Sequence, residues 1–173
     1  MNTLVPLPNG RFRTVYLQGI PYELRAEPRW VVWRYEERDG KPTKVPYSAL
    51  THRRASTTDP ADWTSFDLAA EYLLRRRLHD GLGFVLGDGW AGVDLDGCRD
   101  VETGELHQKA REIITALDSY AEVSPSGTGI KVFVRGTLPP GRRKVEKVFG
   151  AGEHHGIEMY DSGRFFCVTG LTL

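Results

Sequence analysis

The chain has little of several things, and each shortage narrows the reading. There are two cysteines, Cys98 and Cys167. They lack metal-ligand spacing, which argues against a cysteine-built zinc site and a disulfide framework, and a reducing cytoplasm is the simplest compartment. No apolar run reaches membrane-spanning length, and the N-terminus carries no signal-peptide pattern. Charge of one sign is not in excess: 23 basic and 23 acidic residues leave a net charge of zero. The molecule as a whole exerts no strong pull on nucleic acid, so any such binding must come from local patches. Internal repeats and low-complexity tracts are missing too. What is present is 173 residues, 40% hydrophobic and 10% aromatic. That is enough for one domain with a core and a short N-terminal extension.

Residues 1–28 carry Pro6, Pro8, Pro21 and Pro28 with little periodicity and read as an arm with room for one short strand. From residue 29 to 173 the pattern is that of a folded domain. Trp30 to Tyr35 and Lys41 to Val45 read as strands around an Asp39-Gly40 turn. Residues 48–59 are polar and read as a loop. After Thr64, the residues Phe66, Ala69, Ala70, Leu73 and Leu74 follow helical spacing, with Gly81 as the expected stop. Gly83 to Leu86 and Trp90 to Asp96 are expected to form a hairpin around Gly87-Asp88-Gly89. A second helix carries Leu106, Ala110, Ile113, Ile114 and Leu117. Tyr120 to Ser124 and Ile130 to Arg135 form the next expected hairpin, Thr137 to Lys144 a loop, and Gly156 to Tyr160 with Phe165 to Thr169 a last strand pair. Hairpins mixed with two helices point to an α+β fold with a mixed, largely antiparallel sheet. The stop at Thr172-Leu173, just past a strand end, points to a fragment of a longer protein.

The chemistry concentrates on alternating strand positions. In Val93-Asp94-Leu95-Asp96 the apolar residues take one face and the two aspartates the other. Ile130-Lys131-Val132 and Ile157-Glu158-Met159 place Lys131 and Glu158 on that same polar face. Carboxylates this close repel unless a cation lies between them, and Mg²⁺ or Mn²⁺ prefers such hard oxygen ligands. The Asp-x-Asp pair alone equally fits a solvated strand ending in an Asp96-Gly97 turn. Ser126-Gly127-Thr128-Gly129 permits close backbone approach to an anion, with Lys131 one step beyond; an ordinary hairpin turn with an exposed lysine has the same pattern. Arg164 is placed either to reach phosphate near Glu158 or to be a surface arginine. His154 and His155 are adjacent, hence on opposite faces if extended, and read as loop residues. Arg53-Arg54, Arg75-Arg76-Arg77 and Arg142-Arg143-Lys144 with Lys147 are local positive patches. The last is favoured for DNA contact, and the arginines at 75–77 for a solvated helix face. Trp30, Trp33 and Trp63 read as core, with one of them a possible stacking platform for a base.

Taken in order, Val93-Asp94-Leu95-Asp96, Ser124 to Lys131, Ile157-Glu158 and the run from Gly163 to Gly170 resemble the archaeo-eukaryotic primase superfamily, and within it the primase-polymerases of phages and plasmids. Trp33, Lys41, Lys44, Pro46 and Trp63 are similar to its lead-in. The resemblance covers about residues 29 to 170. It implies a catalytic sheet related to the RNA-recognition fold, packed with an N-terminal α/β unit. It also implies template-directed nucleotidyl transfer with two ions of Mg²⁺ or Mn²⁺ held by Asp94, Asp96 and Glu158. Ser126, Gly127, Gly129, Lys131 and Arg164 would cradle the triphosphate of an NTP or dNTP. The other partners would be single-stranded DNA template and primer, contacted by Arg142, Arg143, Lys144 and Lys147, and a helicase domain or protein. One departure stands out: many members carry histidine where Lys131 stands. Two alternatives fit the same residues. Asp94-Leu95-Asp96-Gly97 with Ser124 also fits a haloacid dehalogenase-like phosphatase, although that fold wants parallel βαβ order. A non-catalytic nucleic-acid-binding replication module would keep the same motifs without turnover.

Overall fold

A computed structural model of the chain describes residues 3–6, 12–152 and 154–173. Its strands in chain order are β1 (Thr3–Pro6), β2 (Phe12–Val15), β3 (Trp30–Arg38), β4 (Lys41–Tyr47), β5 (Gly81–Val85), β6 (Trp90–Leu95), β7 (Tyr120–Val123), β8 (Ile130–Arg135), β9 (Lys144–Val145), β10 (Ile157–Tyr160) and β11 (Phe165–Val168). The helices are α1 (Tyr22–Arg25), α2 (Phe66–Arg76) and α3 (Gln108–Leu117). Every strand pair within the sheets is antiparallel. The fold is α+β, as expected. No helix among the described residues is long and apolar enough to cross a membrane.

The contacts divide the described chain into two compact units. The first runs up to Val85 and takes in Gly163–Leu171; the second runs Leu86–Ser162 with Thr172–Leu173. In the first unit β1 pairs with β2, and a four-stranded sheet runs β11-β5-β3-β4. Its core is aromatic. Trp30 meets Phe66 of α2 and Phe84 of β5 edge-on at 5.0 and 5.3 Å, tying helix to sheet. The expected Asp39-Gly40 turn is present, with both residues at positive φ, as a two-residue hairpin of this hand requires. Residues 15–28 contribute Val15, Ile20 and Leu24 to the buried set. Trp30, Trp33 and Trp63 are all buried, so none offers a face to a base. Ser65 caps α2, accepting from the Leu68 amide at 3.4 Å. The helix stops at Arg77 in the left-handed region, four residues before the expected Gly81. Gly81 instead opens β5, where a Cβ would lie 2.9 Å from the Trp33 indole nitrogen.

The second unit holds a five-stranded sheet in the order β7-β8-β6-β10-β9. Val93, Leu95, Ala121, Val123, Ile130 and Val132 form one face, and Ala110, Ile113, Ile114 and Leu117 of α3 pack with them. Two expected hairpins do not form. Gly87 and Trp90 make a single isolated bridge, and then β5 and β6 enter different sheets. Likewise β10 and β11 belong to separate sheets. Strand edges explain both. β5 already has β11 and β3 beside it, β6 has β8 and β10, and β10 has β6 and β9, so no edge remains for the neighbour in sequence.

Candidate active site

The polar face of the five-stranded sheet is built by strict alternation. With Val93 and Leu95 committed to the core, Asp94 must project the other way, and the same holds for Lys131 between Ile130 and Val132. The register then aligns one residue from each strand. Glu122 of β7 lies opposite Lys131 of β8. Lys131 lies opposite Asp94 of β6, Asp94 opposite Glu158 of β10, and Glu158 opposite Lys144 of β9. Neighbouring strands are about 4.8 Å apart, so acid and base side chains form one row across the sheet.

Specific bonds join this row. The Lys131 ammonium is ion-paired with Asp94 Oδ2. Lys144 Nζ lies 3.1 Å from Glu158 Oε1 and 3.2 Å from Glu146 Oε1. The hydrogen bond to Glu158 is the main cause holding the lysine's pKa above its ordinary value. The Tyr160 hydroxyl donates to Glu158 Oε2 at 3.1 Å, and Tyr120 donates to Glu122 Oε2 at 2.6 Å. Burial, with the Glu122 charge second, pushes the Tyr120 phenol far up, so it stays a donor. Glu122 is 0% and Lys131 5% exposed. Asp96 lies one residue beyond β6. Its amide donates to the Gly156 carbonyl at 2.9 Å, and the Gly156 amide donates back at 3.1 Å. The strand pairing thus continues, and Asp96 lines a small polar cleft with Lys144, His154, Gly156 and Glu158.

The glycine-rich turn abuts the acidic end of β6. Ser124, Ser126 and Thr128 form a chain of hydroxyl bonds at 2.9 and 2.8 Å. Gly129 donates to Ser124 Oγ at 3.2 Å. A Cβ on Gly129 would come within 2.8 Å of the Leu95 carbonyl and 3.4 Å of Asp96 Oδ1. Only glycine lets the turn approach this closely. Gly127 sits at φ +81, in the left-handed region. Arg99 fastens the turn from outside, donating Nη1 to the Gly127 carbonyl at 2.9 Å and its amide to the Thr128 carbonyl at 2.9 Å.

The structure therefore brings together Asp94, Asp96, Glu158, Lys131, Gly129 and the Ser126-Gly127 turn in one unit. Lys144 joins them at the sheet edge. Arg142 and Lys147 are exposed on the flanking segments. Arg143 turns to the opposite side, lining an apolar cavity of about 240 Å³ with residues including Val93, Leu117 and Met159. Arg164 belongs to the first unit, just ahead of β11. Glu122, Tyr120, Tyr160 and Arg99 were missed, although Tyr120-Ala121-Glu122-Val123 shows the same alternation as Asp94 and Lys131. His155 was read only as a loop residue. It is one, yet its ring lies in a cradle of Gly97, Gly150 and Gly152, and its buried Nδ1 has no hydrogen-bond partner among the described residues. Cys98 is buried, which pushes its thiol up to about 11 and leaves it inert.

Whether these residues suit a divalent ion is decided by donor type and by one orphan atom. All three candidate ligands are carboxylates, the hard oxygen donors that Mg²⁺ and Mn²⁺ take. Asp94 Oδ1 is buried and has no hydrogen-bond partner among the described residues, a costly arrangement that a cation relieves. Among the described residues no three acidic, histidine or cysteine side chains are already drawn into a metal-holding group. The lysines at 131 and 144 supply the positive charge to Asp94 and Glu158. The donors fit the ion in type, and in this structure Lys131 and Lys144 are paired with one oxygen each of Asp94 and Glu158.

Antiparallel pairing throughout removes the haloacid dehalogenase-like alternative, which requires parallel βαβ units. No protein-family profile matches the chain. Among curated proteins it is similar to the DNA primase-polymerase of Nitratiruptor phage NrS-1, at 39% identity over 144 residues, which is 82% of this chain. The chain spans 19% of the length of that protein. Val93-Asp94-Leu95-Asp96, the glycine-rich turn and Ile157-Glu158 meet on one sheet face, and together with this similarity they support a primase-polymerase-type domain of the archaeo-eukaryotic primase superfamily.

Proposed function

We propose that this domain carries out template-directed nucleotidyl transfer, as a DNA primase or polymerase of phage or plasmid replication acting in the cytoplasm. The observation that carries the reading is the placement of Glu158 directly opposite Asp94 on the polar sheet face, with Asp96 lining the same cleft. Asp94, Asp96 and Glu158 would hold two ions of Mg²⁺ or Mn²⁺. When bound, such ions lower the pKa of an attacking 3′-hydroxyl and neutralise charge on the triphosphate and leaving pyrophosphate. The Ser126 hydroxyl would donate to phosphate oxygens. The Gly127 amide already donates to the Ser124 carbonyl at 2.9 Å, which leaves Gly127 to give close backbone approach, and Gly129 keeps that turn against Asp96. Lys131 serves as a point charge for the triphosphate, and Arg164 of the first unit is kept as a phosphate-binding candidate on the resemblance alone. A lysine stays cationic at neutral pH, so phosphate binding survives the replacement of the family's histidine, whereas a role needing a neutral imidazole does not. Arg142, Arg143, Lys144 and Lys147 are assigned to template and primer phosphates, and a helicase domain or protein is the expected companion.

Primer extension and de novo synthesis on single-stranded template test this directly, with NTP and dNTP pools and Mg²⁺ or Mn²⁺ supplied in turn. Asp94→Asn is expected to reduce incorporation about a hundredfold or more, the scale set by losing several kcal/mol of charge stabilisation. Equal product from wild type and Asp94→Asn rejects the assignment. Absence of incorporation by wild type under every condition, with DNA binding intact, favours a non-catalytic replication module.

A further inference from the structure

The basic segments of the first unit converge on one aromatic stack. The loop after β4 folds back on itself: the Ser48 amide donates to the Arg53 carbonyl and the His52 amide to the Ser48 carbonyl, both at 2.9 Å. This places His52 at φ +61, a conformation uncommon outside glycine. His52, Arg53 and Arg54 all become exposed. The His52 ring stacks on Tyr72 of α2 with centroids 5.0 Å apart and planes 22° apart, and its Nδ1 lies 2.9 Å from the Tyr72 hydroxyl. Behind Tyr72 sits His79, 3% exposed, which packs on Tyr72 at 5.5 Å and edge-on to Tyr47 at 5.1 Å. The stack is thus held from below while His52 stays open to solvent.

Helical spacing supplies the rest. Arg75 and Arg76 lie at i+3 and i+4 from Tyr72, and all three line a surface groove of about 240 Å³ with Leu68 and Glu71. Two of the cations are offset, Arg75 by Glu71 at 2.8 Å and Arg54 by Glu36. Arg53 and Arg76 have no carboxylate partner among the described residues. Arginines in the last turn of α2 also complement the helix dipole. That accounts for charge on the helix, but not for Arg53 or for an imidazole stacked and exposed beside it.

We propose that His52, Tyr72, Arg53 and Arg76, with Arg54 and Arg75 at the margins, form a binding surface for single-stranded DNA on the first unit. The chemistry favours a single strand. Its unstacked bases can lie on an exposed aromatic or imidazole face while arginines take the phosphates. A duplex keeps its bases stacked internally, and an acidic peptide has no use for the ring. The proposal rests on the nucleic-acid reading above and adds a surface that the carboxylate row does not supply.

The test is fluorescence anisotropy of a labelled oligothymidylate with the full chain in EDTA, so that no metal-dependent site contributes. His52→Ala should weaken binding about five- to tenfold, the effect of losing one stacked base, and leave the salt slope unchanged. Arg53→Ala with Arg76→Ala should weaken binding and lower the slope of log K against log salt by about 1.4, two phosphate contacts on a single strand. Both changes are at exposed positions, and unchanged melting temperatures certify the fold. Wild-type affinity and slope in both variants would overturn the surface, and so would polyglutamate competing as well as oligothymidylate at equal charge. Asp94→Asn run in parallel keeps the two readings apart. Loss of incorporation without loss of binding supports the catalytic assignment whatever becomes of His52, and binding by the two surface variants judges the surface whether or not wild type incorporates nucleotide.

Discussion

Lys131 of β8 and Asp94 of β6 face each other across the sheet and form an ion pair, with Lys131 5% exposed. Removing one partner of a buried pair strands the other charge, which costs far more than replacing both. Lys131→Met should destabilise the protein by about 2–4 kcal/mol in urea unfolding. Adding Asp94→Asn should return at least about 1 kcal/mol of that loss, a coupling read from the double-mutant cycle. Additive single effects would show that the two groups do not interact in solution.

Gly129 and Gly127 differ in why they are glycine. A methyl group at 129 meets the Leu95 carbonyl at 2.8 Å, whereas at 127 the nearest atom is Val101 Cγ1 at 3.8 Å and only the φ of +81 opposes it. Gly129→Ala should therefore displace Asp96 and lower nucleotide incorporation about tenfold or more, since small misplacements near reacting groups are costly. Gly127→Ala should lose about 1 kcal/mol of stability and retain most of its turnover. Steady-state incorporation with each variant checks the contrast.

The His155 ring and Gly150 exclude any larger residue from that contact, because a Cβ on Gly150 would lie 2.4 Å from Nδ1. Gly150→Ala should destabilise by about 1–3 kcal/mol through overpacking. In a His155→Ala background the same change should cost much less. Thermal unfolding of the four proteins in the cycle measures the difference.

His79 predicts the acid behaviour of the first unit. Burial is the main cause that lowers its pKa from 6.5 to about 4, with the Arg34 and His52 charges adding to it. The unfolded chain then binds more protons than the folded one between those two values. Stability from this group is present above pH 6.5 and is lost as pH falls toward 4, by up to about 3 kcal/mol. His79→Phe should flatten the stability profile across that window, and an unchanged profile would show that another group governs it.

Much of this was legible where alternation is strict. Asp94, Lys131 and Glu158 each lie between two apolar residues, and a period of two leaves them no face but the polar one. The helical spacing of Ala110, Ile113, Ile114 and Leu117 located α3 in the same way. Strand partnership was not legible. The sequence around Gly87-Asp88-Gly89 and Asp161-Ser162-Gly163 reads as hairpin turns, yet the strands flanking each pair elsewhere because their edges are taken by non-local partners. The His155 cradle and the meeting of His52 with Tyr72 depend on loops folding across the chain, which no local period encodes. Glu122 and Tyr120 were within reach, since the alternation that placed Lys131 also places them.

The central claim is that Asp94, Asp96 and Glu158 act as one donor set. Titration of Mn²⁺ followed by electron paramagnetic resonance, with a non-hydrolysable nucleoside triphosphate present, tests it most directly. Wild type should take up two ions per chain, and Glu158→Gln should lose one or bind both about tenfold more weakly or worse. Superimposable titrations of wild type and Glu158→Gln would contradict it.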